Sequence, residues 1–136
     1  MVFSLEILEE KGQSEEVVVA EIRDFLTKNF KGKPHYMCHN AIFDLGFMKN
    51  LFARHKYNSD NFIHYHGIDT MQISLFLKEC GLYEHYSVSL VNCYTECFKE
   101  EMHGAHTSHG DVLACEKLYT HYLKMISKLS FINKYS

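Results

Sequence analysis

Two stretches of the chain carry side chains spaced for chemistry. In "HNAIFDLGFM", His39 to Met48, Asp44 sits among aromatic and aliphatic neighbours, and far downstream "HTSHGDVLACEKLY" presents His106 ahead of Asp111. An aspartate in apolar company is either a solvated helix residue or a carboxylate held where something positive binds. A histidine on a loop, ahead of a helix that opens with an acid, suits an imidazole that swings over a site floored by a fixed carboxylate. Metal-assisted hydrolysis of a phosphodiester needs both parts: carboxylates to hold divalent cations about 3.5 to 4 Å apart, and a base to take a proton from the attacking water. An imidazole, which ordinarily titrates near pH 6.5, suits the second task.

Elements must position these residues. "SEEVVVAEIRDFLTKNF", Ser14 to Phe30, opens with a capping serine and two acids and predicts an amphipathic helix with Val18, Ile22, Phe25 or Leu26, and Phe30 on one face. "KGKP" breaks it, and "HYMCH" reads as a short buried strand. A second helix is expected from Ala41 to about Lys56, with Phe43, Phe47 and Leu51 on its apolar face. "FIHYHGID" reads as a second strand, after which Asp69 or Thr70 caps a helix that stops at Gly81. A further helix is expected over "SVSLVNCYTECF". The last runs from about Thr107 to Leu129, with Val112, Cys115, Leu118, Tyr122, Met125 and Leu129 in register. Strand, helix, strand, helix implies α/β architecture, with parallel strands joined by a crossover helix. Asp44 then lies just past the carboxyl end of a strand, where functional groups of such sheets gather. A parallel pair normally belongs to a larger sheet, so missing strands or a partner at the open edge are expected.

With 46% hydrophobic and 14% aromatic residues, the 136-residue chain has enough apolar material for the core of one domain spanning residues 1–136. No apolar run reaches the roughly 18 residues of a membrane span, and the N-terminal residues are acidic rather than basic, which predicts a soluble cytoplasmic protein with no membrane partner. Five cysteines without a CxxC pair suit a reducing compartment and a packing role. The formal charge of -3 argues against a protein that coats DNA generically, but not against an enzyme that reaches phosphates through bound metal.

On "HNAIFDLGFM" and "HTSHGD" the chain resembles the DEDDh, or DnaQ-like, 3′-to-5′ exonucleases, an RNase H-like group that includes polymerase proofreading subunits and RNase T. The first stretch is similar to their second motif, HNxxFDxxF. The second is similar to their third, HxAxxD, with Ser108 where alanine is usual. A competing register starts at His103 and Ala105, but it puts Ser108 where the metal-binding aspartate must stand. "HGIDTMQISLFL" and "YSVSLVNC" resemble the elements between the two motifs, so the likeness covers nearly the whole chain. It implies that Asp44 and Asp111 bind metal and that His106 is the general base. Asn40 and Phe47 would shape the substrate pocket, and Phe43 would support the motif from beneath. The implied cofactor is Mg2+ or Mn2+, and the implied partner is the 3′ end of a single-stranded nucleic acid, from which nucleoside monophosphates are released one at a time.

The family's first motif, Asp-x-Glu, has no counterpart. Aligning "VFSLEILEEKG" with it puts Ser4 at the aspartate and Glu6 at the glutamate, and the stretch is more similar to the segment that precedes the helix before the second motif. The expectation is therefore a truncated RNase H-like domain, a small parallel sheet flanked by helices with its first strands missing. Two carboxylates leave two divalent cations largely uncompensated, so weak metal binding and little activity are expected. Competing readings stay open. One is a noncatalytic relic that binds protein or nucleic acid, as a homodimer or with a partner chain at the strand edge near His35 to His39. Another is a zinc protein built on His103, His106 and His109. Asp111 also reads as a plain N-terminal helix acid, Asp69 as a cap, Cys93 and Cys97 as core, and His64 and His66 as strand histidines. DNA and RNA are not distinguished.

Overall fold

The computed structural model describes Glu9 and residues 11–133. Ser4 and Glu6 lie outside the described residues. The chain is α/β and mostly helical. Its elements are α1 (Glu15–Asn29), β1 (Met37–Cys38), α2 (Ala41–Arg54), a 3-10 turn (Ser59–Asn61), β2 (Ile68–Asp69), α3 (Thr70–Glu79), α4 (Leu90–Phe98) and α5 (Ser108–Asn133). The two strands pair in a two-stranded parallel sheet. Two compact units result, one of residues 1–36 with 41–68 and one of residues 37–40 with 69–136.

In the first unit, Ser14 caps α1 by accepting the Val17 N–H, and Glu15, Glu16 and Lys28 complement the helix dipole at its two ends. The helix buries Val19, with Val18, Ile22 and Leu26 half-buried. Phe25 and Phe30, expected on that face, are exposed and meet each other edge to face, centroids 6.1 Å apart. Helix α2 buries Ala41 and Phe52, with Leu45 and Met48 half-buried between them. That stripe is not the expected one. Phe43 and Phe47 are solvent-exposed, and only Leu51 of that set is half-buried. Phe52 packs on Phe62, Tyr57 meets Phe62 edge-on, and the Arg23 guanidinium lies 3.9 Å over the Tyr57 ring. "FIHYHG" is not a strand. After the 3-10 turn it follows an irregular path, held by the His64 N–H on the Pro34 carbonyl and the Ile68 N–H on that of Tyr36, each at 2.9 Å.

In the second unit, Asp69 caps α3 through the Met71 N–H, and the helix ends before Gly81, which takes φ +70. Ser89 caps α4, and Lys99 closes it in the left-handed conformation. Leu77, Tyr83, Cys93, Leu118 and Tyr122 form the buried core, with Ile73, Val88, Cys97 and Met125 packed around them. Helix α5 contributes Ala114, Cys115, Leu118 and Tyr122. Val112, expected on that face, is exposed, and the side chain of Leu129 lies outside those described. Met37 in β1 is also exposed, so "HYMCH" is not a buried strand. Cys93 and Cys115 are buried and none of the five cysteines is in a disulfide, but Cys80 is exposed rather than packed. Among the described residues no helix is long and apolar enough to cross a membrane.

Candidate functional site

The residues around β1 and α3 are held by long-range polar contacts within the second unit. The His39 ring stands between the Thr70 hydroxyl, 2.9 Å from Nδ1, and the Val88 carbonyl, 2.8 Å from Nε2. A carbonyl requires a donor, so Nε2 carries a proton, while the Thr70 hydroxyl itself donates to the Cys38 carbonyl at 3.2 Å. Asn40 takes φ +76, a conformation asparagine tolerates better than most residues, and its N–H donates to Asp69 Oδ1 at 2.9 Å. The same Asp69 oxygen accepts the Met71 N–H that begins α3. Asp69 is thus the cap that the sequence predicts and also the anchor of Asn40, a second role that local spacing does not signal. Deeper in, the Ser74 hydroxyl meets the Tyr122 hydroxyl at 2.8 Å, bonds the Thr70 carbonyl and receives the Cys93 thiol. Burial pushes the Tyr122 phenol up, away from titration at neutral pH.

The loop that carries His106 is closed on itself by a set of short-range hydrogen bonds. Thr107 donates its hydroxyl to the Gly104 carbonyl at 2.6 Å and accepts the Gly110 N–H at 3.1 Å, while its own N–H bonds the same Gly104 oxygen at 3.0 Å. Gly104 takes φ +73 and His106 takes φ +65. For a histidine this conformation costs about 1 to 3 kcal/mol, which the surrounding bonds must offset. The His106 N–H donates to Asp111 Oδ1 at 3.2 Å, so the two residues are brought together through backbone and carboxylate. The imidazole itself faces solvent. One Asp111 oxygen is used as an acceptor, and a carboxylate retains further lone pairs for a ligand. Glu100, beside this loop in sequence, is occupied: the Lys117 ammonium and the Tyr94 hydroxyl bond it and hold its carboxyl below the usual range.

Asp44 belongs to the first unit, in the first turn of α2, as the sequence predicts. Phe43 and Phe47 flank it on the solvent face, 61% and 66% exposed, their rings 4.8 Å apart and edge to face. Phe43 therefore does not support the motif from beneath; it stands outside, one helical turn from Phe47. Among the described residues no three His, Cys, Asp or Glu side chains converge as a metal-binding group. His103, His106 and His109 are all exposed and form no zinc site.

Comparison with family models, with curated proteins and with solved structures found no match to this chain.

Proposed function

We propose that the chain is an RNase H-like domain of the DEDDh exonuclease type, which acts on the 3′ end of single-stranded nucleic acid with weak turnover by itself. The observation that carries this reading is the clasp at the start of α5, in which Asp111 fixes the backbone of His106 and leaves the imidazole presented to solvent. An imidazole so placed can take a proton from water as it attacks a phosphodiester. The first-turn position of Asp44 in α2 supports the same reading. Bound Mg2+ or Mn2+ would supply charge neutralisation at the phosphate, but two motif carboxylates satisfy only part of what two cations require, which is why slow turnover is proposed.

The test is release of nucleoside monophosphates from a 3′-labelled single strand in the presence of Mn2+, compared among the native chain, Asp44→Ala and His106→Ala. Slow release that both substitutions abolish supports the proposal; release that survives them means another site or a contaminant and ends it. A second reading, a noncatalytic binding module, is favoured by the exposed Phe43 and Phe47 rings, which could stack on bases. Oligonucleotide binding without release at any Mn2+ concentration, weakened in Phe47→Ala, selects that reading.

A further inference from the structure

Helix α5 carries its charge unevenly. From Lys117 to Lys128 it has three lysines and no acid, in a chain whose formal charge is -3. Lys117, His121, Lys124 and Lys128 recur at steps of four, three and four, which puts them on one helical face. Lys117 is already committed: its ammonium bonds Glu100 and the Tyr94 hydroxyl and lies 4.1 Å over the Phe98 ring. Lys124 and Lys128 are exposed, and neither pairs with a carboxylate among the described residues.

An open groove of about 320 Å³ lies beside this face, lined by Phe98 of α4 and by α5 side chains between Leu113 and Lys124. That is the small end of ligand-sized clefts, roughly 300 to 1,000 Å³. The Phe98 and His121 rings meet there edge to face at 5.3 Å, with the Thr120 hydroxyl beside them. Rings that stack on a base and cations that meet its phosphates are the two parts that hold a single strand. We propose that this groove is a second contact for single-stranded nucleic acid, with a base against Phe98 and His121 and the next phosphates on Lys124 and Lys128. The choice of a nucleic acid as ligand rests on the exonuclease reading. Glu116 lines the other part of the groove and repels phosphate, so the backbone leaves toward Lys128. Lys124 and Lys128 are about 6 Å apart along the helix axis, on the order of the spacing between successive phosphates of an extended strand. An acidic peptide would meet the same lysines but has no bases for the rings.

Fluorescence anisotropy of a labelled oligothymidylate with the full chain in EDTA reads binding without hydrolysis. Lys124→Gln with Lys128→Gln should weaken binding about tenfold and lower the slope of log affinity against log salt by about 1.4, the share of two phosphates on a single strand. Lys31→Gln with Lys33→Gln makes the same change in net charge on exposed residues elsewhere and should leave affinity within about twofold. His121→Leu keeps the bulk, removes the aromatic face and should weaken binding at least about fivefold. Both groove lysines are exposed, so that pair reports even if His121→Leu unfolds. No binding by the native chain, no effect of the lysine pair, or an equal effect of the control pair overturns the groove. Displacement by polyglutamate as effective as by unlabelled strand also overturns it, because the ligand is then an acidic peptide. Groove-dependent binding without nucleotide release sinks the hydrolysis and leaves the groove standing; release without groove-dependent binding does the reverse.

Discussion

At the scale of single residues, the decisive pair is Gly110 and Asp111. A Cβ at position 110 would collide with the Gly104 carbonyl, so the clasp closes only around glycine. Gly110→Ala should cost about 1 to 3 kcal/mol in thermal unfolding, as overpacking does, and should lower nucleotide release by moving His106. Asp111→Asn separates geometry from charge. Its amide oxygen can still accept the His106 N–H, so stability should stay within about 0.5 kcal/mol while release is lost. If Asp111→Asn retains full release, the carboxylate only positions the loop and the proposed chemistry lacks its second acid. The contact between the His106 N–H and Asp111 is local, spanning five residues of "HTSHGD". The anchoring of His39 was not legible, because its partners Thr70 and Val88 are 31 and 49 residues away and nothing near His39 announces them.

At the scale of elements, α2 shows where sequence periodicity runs out. Ala41, Leu45, Met48 and Phe52 form one helical stripe at steps of three and four, and Phe43, Phe47 and Leu51 form another at steps of four. A helix apolar on most positions offers both, and only the packing of Phe52 against Phe62 decides. Phe52→Ala should therefore cost about 3 to 5 kcal/mol, whereas Phe43→Ser should stay within about 0.5 kcal/mol; chemical denaturation that ranks them the other way would restore the sequence-based face. Helices and caps were read with near-correct bounds because Ser14, Asp69 and Gly81 act on their own neighbours. The strands were overextended because "HYMCH" and "FIHYHG" owe their path to contacts with each other. A separate prediction concerns the tie between α1 and α2, where Arg54 grips both Glu15 oxygens at 2.7 and 2.9 Å and His55 approaches at 3.4 Å. The Arg54 bond holds the Glu15 carboxyl below its ordinary 4.5. A depressed carboxyl contributes stability above that value and loses it as pH falls through the folded-state titration. Both groups are exposed, so the effect should be small and sensitive to salt. Glu15→Gln should leave the melting temperature less dependent on pH below 4.5 than in the native chain.

At the scale of the whole molecule, charge and exposed apolar surface act together. The chain carries -3 with its ten histidines neutral, so protonation of three of them brings it to zero, and further protonation makes it positive. Imidazoles ordinarily titrate near pH 6.5, which places the crossing in mildly acidic solution. Repulsion between copies is least there, while Ile42, 83% exposed, and the Phe43 and Phe47 rings remain available on α2. Self-association measured by light scattering should therefore pass through a maximum as pH is lowered from about 8 to 5 and then decline as positive charge accumulates. The paired substitution Phe43→Ser with Phe47→Ser preserves the charge and should flatten that maximum. If the double variant associates as strongly as the native chain, the contact lies elsewhere, with the open strand edge near His35 to His39 the next surface to probe. Added salt distinguishes the driving forces: it should broaden the maximum by screening the repulsion on either side, and should leave its height nearly unchanged where apolar contact dominates.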